Sequence, residues 1–173
     1  MPLVSVIIPA YNAEKTLLET IESVLQQSFC DFELIVVNDG STDRTVDILN
    51  TVDDVRLKTL SVVNGGVSAA RNLGIVHSSG QFISFIDADD LWTADKLASQ
   101  VAALKETSEA GVAYSWTLTM SEDGKQFYPG KSPSFEGNVY RDLLVSNFIA
   151  SGSNVMVRRA AVESVGPFDS TVN

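Results

Sequence analysis

Val4–Ile8 is a short, mostly apolar run closed by Pro9, and from Ala13 to Gln27 the positions Leu17, Leu18, Ile21, Val24 and Leu25 recur at helical spacing. The pattern predicts a strand followed by an amphipathic helix. Phe32–Val37 repeats the strand signal, Asn38–Ser41 is turn chemistry, and Val46, Leu49 and Val52 mark one face of a helix over Asp43–Val52. Val55–Leu60 alternates like a half-exposed strand, and Gly65 and Gly66 open a helix that runs to about Ser78. Phe82–Ile86 is strand-like and leads directly into Asp87, Ala88, Asp89 and Asp90. A further helix, starting near Thr93, carries Leu97, Val101 and Leu104 on one face.

Alternating strands and helices imply a parallel sheet covered on both faces, because parallel neighbours need crossover connections. Residues 1–110 therefore read as a doubly wound, Rossmann-like α/β unit. After Gly111 the pattern changes. Val112–Thr119 and Gln126–Tyr128 flank the hairpin signal Ser121–Gly124, and Ser151–Arg158 has the composition of another strand. The expected sheet is mixed: mostly parallel, with an antiparallel C-terminal part.

Composition narrows the class. At 173 residues the chain is of single-domain size, and 45% hydrophobic residues with 11 glycines and 5 prolines exclude a disordered or low-complexity chain. The formal charge of −10 disfavours nonspecific contact with nucleic acid or an anionic membrane surface. No run reaches the ~18 apolar residues of a membrane span. Met1–Leu3 lacks the basic start of a secretion signal, which makes a cytoplasmic location the expectation. The single cysteine, Cys30, has no basic cluster nearby and reads as a small buried hydrophobe rather than a nucleophile.

In an open α/β sheet, ligands bind beyond the carboxyl ends of the strands, where the strand order reverses. Here those ends carry Pro9–Asn12, Asn38–Asp39, Asn64–Gly66 and Asp87–Asp90. Crowded carboxylates at a strand end repel one another, a cost offset by a hard divalent cation, and such a cation leaves positions for phosphate oxygens. That chemistry fits Mg²⁺ or Mn²⁺ with a phosphorylated ligand, Asp87 and Asp89 pointing to one side if the strand geometry persists. The competing reading is a solvated turn whose acids cap the next helix. Asp39 equally fits a turn residue before an N-cap at Ser41 or Thr42. Gly65 and Gly66 can present backbone N–H groups to an anion, with Arg71 further along, or form an ordinary loop with a surface arginine. His77 reads as a helix C-terminal residue, and Trp92 as packing. Tyr11 is open between packing and ligand stacking.

The segments Val6–Asn12, Val36–Asp43, Gly66–Gly74 and Asp87–Asp90, in this order and spacing, resemble the family 2 glycosyltransferases of the GT-A fold. Ser151–Arg159 and Gly166–Asp169 extend the resemblance over residues 3–169. It implies a single GT-A catalytic domain over residues 1–173, continuing past the C-terminal end, with 1–110 as the nucleotide-binding half and 111–173 as the start of the acceptor-side half. It further implies transfer of a sugar from a nucleotide-diphosphate donor, commonly a UDP-sugar, to an acceptor hydroxyl with inversion. The acceptor would be a carbohydrate or lipid-linked saccharide in polysaccharide or glycoconjugate synthesis, at the inner face of the membrane. Carried over by position, Pro9, Ala10, Tyr11 and Asp39 would hold base and ribose, and Arg71 would face the nucleotide. Asp87 would approach ribose or metal, Asp89 would be the main metal ligand of the Asp-x-Asp motif, and Asp90 is a third carboxylate beside them.

The family's general base follows the Gly166–Asp169 segment and has no match up to Asn173, so it is expected beyond that residue. The alternative is a nucleotide-sugar-binding module without turnover. A nicotinamide oxidoreductase is disfavoured, because no Gly-x-Gly-x-x-Gly follows Ile8.

Overall fold

The computed structural model describes residues 1–121, 124–130 and 132–171. Its elements are β1 (Val4–Ala10), α1 (Leu17–Leu25), β2 (Phe32–Asp39), α2 (Thr45–Leu49), β3 (Leu57–Val62), α3 (Val67–His77), β4 (Phe82–Phe85) and α4 (Lys96–Glu106), in that order. There follow β5 (Val112–Tyr114), β6 (Leu118–Met120), β7 (Phe127–Pro129), α5 (Tyr140–Val145), a 3₁₀ turn (Gly152–Asn154), β8 (Val155–Arg158) and α6 (Arg159–Val165).

Six strands form one sheet in the order β3-β2-β1-β4-β8-β5. β1 pairs in parallel with β2 and β4, and β2 with β3, whereas β8 runs antiparallel to β4 and β5. The expected mixed, doubly wound sheet is present. Because β1 and β2 are buried along their whole length, they read as near-continuous apolar runs rather than alternating ones. Even-numbered β1 residues Val4, Val6 and Ile8 pack with Leu17 and Ile21 of α1 and Leu97 and Val101 of α4. Odd-numbered Ile7 joins Ile35, Val37, Ile83 and Phe85 under Ala70 of α3 on the other face.

Pro9 sits inside a central strand, where a missing N–H would normally break a ladder. Leu3 and Ile7 carbonyls accept from Phe82 and Ile86 N–H, so odd-numbered β1 residues turn their polar backbone toward β4. Pro9 is on that side beyond Phe85, where β4 has already ended.

Several boundaries differ from the sequence reading. The second helix shrinks from Asp43–Val52 to Thr45–Leu49, because the Asp43 carboxylate accepts from the backbone and hydroxyl of Thr45 and so ends the preceding loop. Val112–Thr119 is divided: β5 joins the main sheet and β6 pairs with β7 in a separate hairpin. Of the hairpin signal Ser121–Gly124, Glu122 and Asp123 lie outside the described residues. Ser151–Arg158 begins as a 3₁₀ turn and becomes a strand only at Val155. Cys30 is exposed rather than buried, since the loop from α1 to β2 runs over the surface. His77 ends α3 as expected. Trp92 is buried and donates from Nε1 to the Ser153 carbonyl, which is the packing role. Among the described residues, no helix is long and apolar enough to cross a membrane.

Candidate nucleotide cleft

After β1 the chain moves outward to β2 and β3, then returns to the other side of β1 as β4, so the strand order reverses at the β1–β4 pair. At the carboxyl edge of these strands lies a cleft of about 320 Å³. Its walls include Pro9, Ala10, Tyr11, Asp39, Asp87 and Asp89, so six of the seven residues singled out from sequence converge on one place. Asn12, Ala13, Thr16, Val67, Ala70 and Ala88 complete it. Val67 and Ala70, one turn apart on α3, were legible only as helix positions.

The lip of the cleft is built from two loops stapled together. Asn12 has φ 49°, a left-handed conformation that asparagine tolerates. That conformation lets its backbone N–H donate to Ser41 Oγ while its side-chain oxygen accepts from Thr42 N. Ala13 N donates to Thr45 Oγ1 and Glu14 N to Asp43 Oδ2. Tyr11 is carried on this loop at 53% exposure and lines the cleft.

Asp39 is buried at the end of β2. Its two oxygens accept from the backbone N–H groups of Gly65 and Gly66, each at 2.8 Å. This corrects the expectation that the glycine pair presents its N–H groups to a ligand: the anion it cradles is the Asp39 carboxylate itself. Gly66 stands at φ 85° before α3, a conformation that favours glycine. It also removes the N-cap reading, because α2 begins only at Thr45.

β4 ends at Phe85, and Asp87–Asp90 is a turn closed by Asp90 N–H to the Asp87 carbonyl. The strand alternation therefore does not persist to Asp89. The acids do not cap α4, which starts at Lys96 after Asp95. Thr20 Oγ1 bridges the carbonyls of Ala88 and Asp90, anchoring the turn to α1. Asp87 takes Ser153 Oγ on its N–H and Arg71 Nη2 on Oδ1 at 2.6 Å. Asp90 turns away toward Ser151 Oγ. Asp89 is exposed and makes no hydrogen bond or ion pair among the described residues. Among the described residues no three acidic, histidine or cysteine side chains gather as a ligand cluster, so the expected crowding of three carboxylates is not what is built. Asp87, with Oδ1 taken by Arg71, and Asp89 both line the cleft and are hard oxygen donors. That set fits a cation such as Mg²⁺ or Mn²⁺, which takes one or two carboxylates and completes its shell with water and phosphate oxygens.

Arg71 is the seventh candidate and does not line the cleft. Its guanidinium lies one layer behind, against Asp87 and the rings of Phe85 and Phe168.

The sequence model described as glycosyl transferase family 2 matches residues 5–166. An uncharacterised glycosyltransferase of Rickettsia bellii is 41% identical over 144 residues, which is 82% of this chain and 20% of that protein. The Escherichia coli UDP-Glc:alpha-D-GlcNAc-diphosphoundecaprenol beta-1,3-glucosyltransferase WfaP is 38% identical over 118 residues, 66% of this chain and 46% of its own length. Among solved structures, S. aureus TarS 1-349 in complex with UDP-GlcNAc superposes with a TM-score of 0.71 at 26% identity, covering 95% of this chain and 47% of that one. The fold is thus that of GT-A glycosyltransferases, and the chain spans half or less of the length of these relatives.

Proposed function

The chain belongs to glycosyl transferase family 2, and on that premise we propose that its cleft binds the donor for transfer of a sugar from a UDP-sugar to an acceptor hydroxyl, with inversion. The observation that carries this reading is the convergence of Asp39, Asp87 and Asp89 on one cleft at the strand-order reversal. Asp39, fixed by two backbone N–H groups, offers its remaining lone pairs to N–H or O–H donors of base or ribose. Pro9 and Ala10 supply a flat apolar floor, and Tyr11 a ring that closes on the base. Asp87 and Asp89 would hold the cation. Bound there, it supplies positive charge to the departing diphosphate.

The lipid-linked saccharide in the name of the E. coli relative supports a carbohydrate acceptor of that kind, and we place the reaction at the cytoplasmic face of the membrane as part of this proposal. The acceptor hydroxyl needs a base. Asp169 is a poor one: the hydroxyl and backbone N–H of Thr171 lower its pKa and occupy Oδ1. We assign the base to a carboxylate following the Gly166–Asp169 segment, as the family resemblance implies.

The test is a titration of UDP, GDP and ADP with and without Mn²⁺, followed by NMR of the anomeric configuration of any transferred sugar. Preference for GDP or ADP, or retention at the anomeric carbon, would overturn the corresponding part.

A further inference from the structure

Arg71 is enclosed in an unusual way for a charged side chain on a helix surface. The Phe85 ring lies 5.9 Å and the Phe168 ring 5.8 Å from its guanidinium carbon, and the two rings meet edge to face at 5.5 Å. Gly152 closes a third side, where an added Cβ would stand 3.1 Å from Nη2. The side chain is 17% exposed, and its Nε is buried without a hydrogen-bond partner. Leaving a buried donor unsatisfied costs free energy, so something else must hold this arrangement. Among the described residues its one ion partner is Asp87, which lines the cleft and is 37% exposed.

Phe168 comes from the segment after α6, far from α3 in sequence. Asn72, the neighbour of Arg71, grips it by both backbone groups: Nδ2 donates to the Phe168 carbonyl and Oδ1 accepts from the Phe168 N–H, each at 2.8 Å. We propose that Asn72 and Phe168 form a latch that seats a ring over Arg71 and thereby positions Asp87 in the donor cleft. Both are positioning residues; neither lines the cleft. A solvated arginine–carboxylate pair is weak and samples many rotamers, whereas one shielded from water is stronger and holds a single geometry. With Oδ1 fixed on Arg71, the other Asp87 oxygen stays aimed at a ligand. The inference rests on the donor-site reading above.

The experiment is calorimetric titration of UDP in Mn²⁺ and in EDTA, using the whole chain, Asn72→Ala, Phe168→Leu and the conservative Phe168→Tyr. The expected result is that the affinity gained on adding Mn²⁺ shrinks about three- to tenfold in the first two variants, as the competent Asp87 geometry becomes a fraction of the population. Phe168→Tyr should restore it, and affinity in EDTA should not change. Loss of binding in both buffers in proportion to the unfolded fraction, followed by thermal melting, would mean a merely structural role and overturn the latch. An undiminished Mn²⁺ gain in both variants overturns it too, with the donor reading intact. If the unsubstituted chain binds no UDP in either buffer, the donor reading falls and the latch with it.

Discussion

The Asp39 carboxylate and the backbone N–H of Gly66 are 2.8 Å apart, so the group we assign to the nucleotide also ties the end of β2 to the start of α3. Gly65 takes the other oxygen. A substitution there therefore acts twice. Asp39→Ala leaves two N–H groups without an acceptor and is expected to destabilise the fold by ~1–3 kcal/mol while weakening UDP binding by the folded protein. Asp39→Asn, which keeps one acceptor oxygen, should fall between. Thermal melts paired with UDP titration separate the two effects, and unchanged UDP affinity in folded Asp39→Ala would reduce this residue to a structural role.

Asp89 is the opposite case. It is exposed and without polar partners among the described residues, so Asp89→Asn is expected to leave the melting temperature within about a degree or two, as for surface changes generally. Only the Mn²⁺-dependent part of UDP affinity should drop. An Asp89→Asn variant that keeps the full Mn²⁺ enhancement of UDP affinity seen in the parent would take Asp89 out of the cation site.

Much of this was legible in the chain. Strands β1, β2 and β4 are buried on both faces, so their apolar runs are unmistakable, and the ligand edge follows from where those runs end. Arg71 and Gly66 show the limit. Sequence spacing placed the glycine N–H groups and the arginine near an anion, yet the anions they meet are Asp39 and Asp87 of this same chain, from the end of β2 and from the turn after β4. Local patterns indicate what a group can bind, not which distant residue reaches it first. Cys30 failed for a related reason: its residue type is usually buried, but its loop is not.

Glu33 gives an acid-side prediction. Burial would raise its pKa, but hydrogen bonds from Lys58, Ser5 and Ser79 outweigh that and lower it from 4.5 to about 2. The folded value is depressed, so the stabilisation is complete above about pH 5 and is lost as pH falls from there toward 2. The same carboxylate holds the Ser79–Gly80 loop to β1 and β2. Glu33→Gln should be less stable at neutral pH and show a shallower loss on acidification. Parallel acid titration curves for both proteins would contradict this.

Lys96 predicts the alkaline side. It is buried, its Nζ donates to Gln100 Oε1 and lies 4.1 Å from the Trp92 ring centre, and burial lowers its pKa from 10.5 to about 7. Between those values the unfolded chain binds more protons than the folded one, so stability is expected to rise as pH increases from 7 toward 10. Lys96→Met should flatten that rise. Denaturant midpoints at pH 7 and 9 measure it, and an equal increase in both proteins would show that the slope comes from other groups.

Transfer to an acceptor is a separate matter from donor binding. An acceptor hydroxyl is a weak nucleophile near neutral pH, and a positioned base supplies roughly 100- to 10,000-fold in rate. Two carboxylates of the cleft have other attachments, Asp39 to Gly65 and Gly66 and Asp87 to Arg71, Asp89 is assigned to the cation, and Asp90 beside the cleft turns to Ser151. Asp169 is drawn onto Thr171 and lowered in pKa, which weakens it as a proton acceptor. On the proposed donor reading, departure of the diphosphate would call on the cleft groups and their cation without a general base. The 173-residue chain is therefore expected to hydrolyse a UDP-sugar slowly in Mn²⁺ and to transfer to saccharide acceptors at least 100-fold more slowly than a chimera carrying the carboxylate-bearing segment of a longer relative. Both proteins are assayed with the same UDP-sugars and acceptors, following released UDP and glycosylated product separately. Equal transfer rates would place the base within residues 1–173 and send the search back to Asp89, the cleft carboxylate with no hydrogen bond among the described residues.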